Sequence, residues 1–487
     1  MTQRVRILLG AVSDTAGGRA LVLTLGLGPG MPTVCLTLPD RTAIDLDVER
    51  GPIANSGRGP APELPSRLEE VELRVFRVEI PAGLSGDLEL LASLGGCEAE
   101  ARFRPYPTAP GRVSFAVASC YYSYFREAET YGDWMAKAAS SPQFKGHRID
   151  FKILTGDNVY MDVAEDKGRF EADEAEAEVA HRYADYLGRD DALAAALSSS
   201  PTFATFDDHD FWNDFPHEVV WLSRTYPEHR EQWRRASWDG IDTFLSPLNP
   251  ISEWEGRSYA FVAGGVPFFV ADTRTNRTSV HDDRPRLMLE EERMALVDWL
   301  EAPGGPRVLV MGQPLWLDKG GLTDSNLAAY EEDFAAICDA IADCPSEVLV
   351  LTGDPHYSRV LKLETRGRPA KTVYEVISSP AVHIPPSLSI GRSKLDRDHV
   401  KIDRDVDFRC RADAKLHVAD YLFGSSCNTT FALLTLEPRA DQTVAVTVTF
   451  LDHRGGLGDP YPPAEPADPW DAPSVRDATV EFTLRKR

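Results

Sequence analysis

The chain has 487 residues, 43% hydrophobic and 26% charged, with 35 Gly and 35 Pro, a profile that excludes a disordered or fibrous protein and supplies a sizeable core. Lys and Arg number 52 against 76 Asp and Glu, a net charge of −24; this argues against a stable nucleic-acid partner or an anionic membrane surface and suits a protein that holds cations. The longest nearly apolar run, Ala260 to Ala271, is interrupted by glycines and a proline and falls short of the roughly 20 residues of a membrane helix, and the cysteines, without CxxC spacing, do not read as a disulfide framework.

At the start, Arg4 and Arg6 precede only Ile7 to Val12, too short for a secretory leader. A cytoplasmic location is expected, or an exported one if a leader has been removed. Residues 1–108 carry short runs such as Ala20–Leu25, Thr33–Leu38 and Asp87–Ala92, several alternating with period two between Gly, Pro and Asp, which predicts an N-terminal all-β sandwich. The stretch Tyr106–Gly111 is the expected hinge. From there 112–487 reads as an α/β domain, because buried-strand runs alternate with helical stripes. Those stripes are Ala180, Tyr183, Tyr186 and Leu187 within Asp173–Leu197, then Leu289, Leu296, Val297 and Leu300, then Leu327, Tyr330, Phe334, Ile337 and Ile341. The chemistry-bearing part is 113–383. In 384–487, Pro385–Lys415 reads as a charged surface excursion, Thr430–Leu436 and Val444–Phe450 as strands, Gly455–Ser474 as a loop, and Thr479–Leu484 as a strand closing an edge.

Five strand-like runs end in polar groups. Val113–Ala118 leads into Ser119-Cys120, Phe151–Thr155 into Gly156-Asp157-Asn158-Val159-Tyr160, and Phe203–Phe206 into Asp207-Asp208-His209-Asp210. Val266–Val270 leads into Ala271-Asp272-Thr273-Arg274, and Val348–Leu351 into Thr352-Gly353-Asp354-Pro355-His356. In α/β sheets the ligand crevice lies beyond the carboxyl ends of the strands, so these groups are expected to converge. Several carboxylates in one crevice need protons or cations. Oxygen ligands suit hard cations, and imidazole, thiolate and phenolate extend the choice to iron, zinc or manganese. Two metals bridged by one Asp would activate a shared water for in-line attack at phosphorus, which points to phosphoester hydrolysis.

Taken in order, Ser119-Cys120, the Gly156–Tyr160 block, Phe206–Asp210, Ala271–Arg274, Gly353-Asp354-Pro355-His356-Tyr357-Ser358 and Ile377-Ser378-Ser379-Pro380 resemble the PhoD-like (alkaline phosphatase D) family of the calcineurin-like metallophosphoesterase superfamily. The resemblance covers Val113 to His383. It implies a four-layer α/β/β/α core and a metal-dependent phosphomonoesterase or phosphodiesterase acting on a small phosphoester. It further implies that Cys120, Asp157, Tyr160 and His356 hold Fe(III), and that Asp157 bridges to a second site with Asp208, Asp354 and Asn213. That second site would take Ca2+, with Zn2+, Mn2+ or Mg2+ as alternatives. His209 would act as the general acid or as a phosphate-binding cation near the leaving group; from their residue type, Arg274 and Arg359 could bind phosphate. Phe206, Pro355 and Asn158 depart from the family's usual residues.

Simpler readings stand beside these. Asn213 also fits a turn cap, and Arg274 and Arg359 fit structural counter-ions. Asp272 reads as structural and His383 has no assigned role. His217-Glu218 lacks the second His of a zincin helix, and no P-loop is present. Two competing functions remain: a non-catalytic calcium-binding module with a degenerate core, and a cysteine hydrolase built on Cys120. The latter leaves the aspartates unexplained.

Overall fold

Short runs, several of which alternate in burial, build the first eight strands: β1 (Arg4–Leu9), β2 (Gly18–Leu25), β3 (Thr33–Thr37), β4 (Ala43–Leu46), β5 (Val48–Asn55), β6 (Glu72–Ile80), β7 (Leu88–Leu94) and β8 (Cys97–Phe103). They pair antiparallel into two four-stranded sheets, ordered β1-β2-β6-β5 and β4-β3-β7-β8. Val5, Ile7, Val22, Phe76, Leu36, Leu90 and Phe103 share one core between the sheets. The period-two rule sends the neighbours Leu8, Leu21, Leu23 and Val75 to the opposite face, where they join a second core with Val179, Tyr183, Leu187 and Leu197. The sandwich is thus seated on the helices of the rest of the chain. The structure is a computed structural model that describes residues 3–55, 72–123, 131, 135, 148–162, 175–219, 222–316, 325–365, 370–382, 416–426, 430–452 and 478–486. His383, the Pro385–Lys415 excursion and the Gly455–Ser474 loop lie outside the described residues.

The remaining strands are β9 (Val113–Ala118), β10 (Phe151–Thr155), β11 (Thr202–Thr205), β12 (Tyr259–Ala263), β13 (Val266–Val270), β14 (Arg307–Val310), β15 (Val348–Thr352), β16 (Tyr357–Thr365), β17 (Thr372–Ile377), β18 (Leu416–Ser426), β19 (Thr430–Pro438), β20 (Val444–Asp452) and β21 (Ala478–Leu484). One sheet runs β11-β10-β9-β19-β20-β21, the other β12-β13-β14-β15-β17-β16-β18. Their facing sides are filled by Phe115, Val117, Ile153, Phe203, Phe268, Val308, Leu349, Leu351 and Val376. The outer face of the first sheet is covered by the helices Ala175–Tyr183, Asp191–Ser199 and Pro227–Phe244. That of the second is covered by Glu290–Glu301 and Glu331–Asp343. This is the four-layer α/β/β/α order, and it explains the nearly continuous apolar runs in β9, β14 and β15, since both faces of each strand are buried.

One helical stripe is interrupted. Among its described residues, the helix Ala175–Tyr183 widens into a π-helical turn over Ala184–Arg189 and breaks at Asp190, before a second helix over Asp191–Ser199. There Asp190 caps the second helix through Oδ1, which accepts from the backbone N–H groups of Ala192 (2.9 Å) and Leu193 (3.0 Å). A side chain at Gly188 would sit 2.7 Å from Leu25, so the turn marks where the sandwich presses on the helical layer.

Candidate metal centre

Strands β9, β10 and β11 are parallel in one sheet, and β13, β14, β15 and β17 are parallel in the other. The loops after β9, β10, β11 and β15 carry side chains that meet at one place. Gly353 permits the approach of the two sheets there, since a Cβ on it would lie 2.4 Å from the Thr155 carbonyl oxygen and 2.5 Å from Ser119 Cβ. Cys120, Asp157, Asp214 and Asp354 all take positive φ, at 58°, 53°, 59° and 73°. Non-glycine residues hold that conformation only when their surroundings impose it, and such positions concentrate at functional sites.

Three overlapping groups of ligand-type side chains result: Cys120, Asp157 and His356; Asp157, Asp208 and His209; Asp207, Asp208 and Asp354. Within each, the candidate ligand atoms lie within 4.8 Å of one another. Asp157 belongs to the first two, the position a bridging carboxylate would take. Its Oδ2 accepts from Cys120 Sγ (3.3 Å) and Tyr160 Oη (3.5 Å), while Oδ1 accepts from the His209 backbone N–H (3.2 Å). Tyr160 Oη is 3.3 Å from His356 Nε2. Asp208 Oδ2 accepts from the Asp214 N–H (2.6 Å). Asn213 lies in the turn after His209, its N–H donating to Asp162 Oδ2 (2.9 Å).

The electrostatics are those of a site suited to cations. Burial, followed by the charge of Asp157, pushes the Cys120 thiol well above its ordinary pKa. Burial, then Cys120 and Asp157, does the same to the Tyr160 phenol. Asp157 is also raised, first by burial; His209 opposes this and Asp208 and Asp207 add to it. Asp207 Oδ2 and Asp208 Oδ1 are buried without a hydrogen-bond partner among the described residues, a costly arrangement for a carboxylate. Thiolate, phenolate, imidazole and carboxylate oxygen around orphaned buried oxygens therefore fit metal ions.

His209 differs from the other groups. Its Nδ1 is 2.7 Å from Asp162 Oδ1, and its ring packs on Tyr160 with centroids 4.5 Å apart. Burial lowers its pKa, but Asp162, Asp208 and Asp157 outweigh that and hold it well above the usual imidazole value. Asp162 is correspondingly kept below the carboxylate range by the His209 charge and hydrogen bond, against the effect of burial. A protonated, oriented imidazole at 14% side-chain exposure can deliver a proton.

Arg274 is wholly buried. Its Nε donates to Asp207 Oδ1 (2.6 Å), its Nη1 donates to the Phe215 carbonyl (2.8 Å), and its Nη2 lies 3.8 Å from Asp208 Oδ1. These contacts make it a counter-ion to the Asp207-Asp208 pair. Arg359, also buried, pairs with Glu375 (2.7 Å), and Asp272 caps its own turn through the Arg274 and Thr275 N–H groups.

Sequence reasoning passed over several contributors. Asp162 stands two residues after Tyr160 and was given no role. Asp210, inside a block already singled out, accepts from the N–H groups of Asn158 (2.9 Å), Val159 (3.0 Å) and Asp207 (3.0 Å), tying the β10 and β11 loops together; burial raises it to about 7. Gln313 follows the short strand β14, and its Nε2 donates to Asp354 Oδ2 (3.4 Å).

The PhoD-like phosphatase family matches residues 115–411. The chain belongs to the PhoD-like phosphatase family. It is thereby a metal-dependent phosphoesterase acting on phosphoester substrates. A solved structure of PhoD superposes with a TM-score of 0.61 over 99% of this chain and 90% of that chain, at 15% identity. The purple acid phosphatase PPD1 from yellow lupin (Lupinus luteus) seeds does so with a TM-score of 0.54 over 94% and 72%, at 11% identity. Both likenesses are of fold. No curated protein sequence matches the chain. No helix among the described residues is long and apolar enough to cross a membrane.

Proposed function

We propose that this PhoD-like phosphatase hydrolyses small phosphoesters at a binuclear centre, with Cys120, Asp157, Tyr160 and His356 holding Fe(III). In this reading Asp157, Asp208, Asp354 and Asn213 hold Ca2+ or another divalent ion. The observation that carries it is the position of Asp157 in two overlapping groups of ligand-type side chains. When bound, the metals supply Lewis-acid activation of water and neutralise phosphoryl charge. The protein's own residues do the rest. Asp157 would serve both ions, since it belongs to two of the ligand groups. His209, held protonated and aimed by Asp162, gives its proton to the departing oxygen. Arg274 holds Asp207 and Asp208 in place, a role its buried contacts favour over phosphate binding. Residues 1–108 form the sandwich unit and 112–487 the hydrolase unit.

The test is elemental analysis per chain together with a screen of mono- and diesters. Iron with a second divalent ion, and turnover abolished by chelation and restored by metal, is the expected result. Bound calcium with no turnover of any phosphoester would replace this reading with the calcium-binding module. Turnover blocked by thiol alkylation yet indifferent to chelators would replace it with the cysteine hydrolase.

A further inference from the structure

The Ser378-Ser379-Pro380 segment directly follows β17. It runs beside the Cys120 loop: the Ala381 N–H donates to the Ser119 carbonyl (2.7 Å) and the Val382 N–H to the Cys120 carbonyl (3.1 Å). Ser119 Oγ donates to the Ser378 carbonyl (3.1 Å). Ser378 Oγ donates to the Val117 carbonyl (2.7 Å) and accepts from the Ala432 N–H (2.9 Å). Ser379 is completely buried, and Ser358 Oγ donates to its carbonyl (3.3 Å). The backbone that carries Ser379 is therefore locked to the backbone that carries Cys120.

Ser379 Oγ lies 3.2 Å from Cys120 Sγ and 3.3 Å from the Asp354 carbonyl oxygen. Three further polar neighbours of the sulfur act as acceptors. They are Asp157 Oδ2 at 3.3 Å, the Asp354 carbonyl oxygen at 3.4 Å, and Ser119 Oγ at 3.4 Å, whose own proton is directed at Ser378. An ionised sulfur here would face acceptors on these sides; the Tyr160 phenol, which also hydrogen-bonds Cys120, is a ligand in the same reading, whereas the Ser379 hydroxyl is placed to donate to the sulfur without being one.

We propose that Ser379 is a positioning residue of the metal centre, whose hydroxyl donates to the Cys120 sulfur, fixes its direction and draws electron density from it. The proposal rests on Cys120 being a metal ligand. A hydrogen bond to a ligating sulfur lowers the energy of its lone pairs, so less charge passes to the metal and the sulfur-to-metal charge-transfer absorption moves to higher energy. Hydrogen bonds to sulfur are a general lever on metal sites, and partners of this kind typically change metal affinity by about 10–100-fold.

The experiment loads the metal-free full chain with Co(II) and reads the near-ultraviolet sulfur-to-cobalt band. Wild type is expected to show the band and Cys120→Ala to lack it. In Ser379→Ala the band should persist at the same stoichiometry but at longer wavelength, with Co(II) binding weakened about 10–100-fold; Ser379→Thr, which retains the hydroxyl, should keep the wild-type wavelength. A band that does not move in loaded Ser379→Ala overturns the role of Ser379 and leaves the ligand. A band absent from wild type, or retained by Cys120→Ala, overturns the ligand reading beneath it. Where Ser379→Ala does not fold, the metal–sulfur stretch of the wild-type cobalt protein in H2O and D2O decides by resonance Raman. A shift supports an exchangeable donor on the sulfur, and identical frequencies overturn it.

Discussion

Replacing Asp157 by Asn removes one charge and keeps the shape of a side chain that is 1% exposed and common to two ligand groups. A unit charge about 4 Å from a unit charge contributes ~4 kcal/mol at an effective dielectric constant near 20. At about 1.4 kcal/mol per tenfold, that corresponds to a loss of roughly 10³ in affinity for each ion that Asp157 serves. Metal per chain after gel filtration should fall for both ions, and turnover with it. The metal-free protein should respond in the opposite sense. Burial, opposed by His209 and reinforced by Asp208 and Asp207, raises the Asp157 carboxyl, so its charge is unfavourable in the metal-free protein and a neutral amide there should cost little. Metal-free melting temperatures of variant and wild type should therefore agree closely, while the stabilisation that added metal gives wild type, about 2.7 kcal/mol at a hundredfold excess over Kd, should be missing from the variant. Elemental analysis, calorimetry with and without metal, and phosphoester turnover read these separately. Wild-type turnover with a full metal complement in Asp157→Asn would refute the bridging role. A metal-free variant that fails to fold would show that the carboxyl serves the fold instead.

Four further outcomes follow from the geometry. His209→Ala should reduce turnover by roughly 10²–10⁴ for substrates with poor leaving groups and leave metal per chain unchanged; Asp162→Asn, which removes the partner holding His209 protonated, should move the alkaline limb of the pH–rate profile to lower pH. Gly353→Ala places a methyl 2.4 Å from the Thr155 carbonyl oxygen, so it should cost about 1–3 kcal/mol in denaturant unfolding and weaken metal binding by parting the two sheets. Glu292, buried at the start of the Glu290–Glu301 helix, is raised from 4.5 to about 7, first by burial and then by Asp272. Its contribution to stability is complete below pH 4.5 and is lost as pH rises through about 7, so Glu292→Gln should flatten the urea midpoint across that window.

Much of the centre was readable in the chain because each ligand-type residue directly follows an apolar run. The runs ending at Ala118, Thr155, Thr205 and Thr352 are buried on both faces, and a polar residue just past such a strand has one place to go. Asp162, Asp210 and Ser379 were not readable in the same way. Each acts on a residue from another loop, and a hydrogen bond across 47 residues, as between His209 and Asp162, leaves no periodic trace. Gln313 was missed because β14, at four residues, is too short to announce itself by pattern. The break at Asp190 was missed because a helical stripe of apolar residues does not record the sandwich pressing on Gly188.

Taken alone, the sequence determined the fold class, the antiparallel sandwich ahead of an α/β core and the ordered blocks that mark the family, because burial period and strand-end chemistry are local properties of the chain. The tertiary structure decided which carboxylates lie close enough to share a cation, that Arg274 is spent on Asp207 and Asp208, and that Ser379 faces Cys120. Those assignments depend on distances between loops of two different sheets, and only packing the sheets face to face sets such distances.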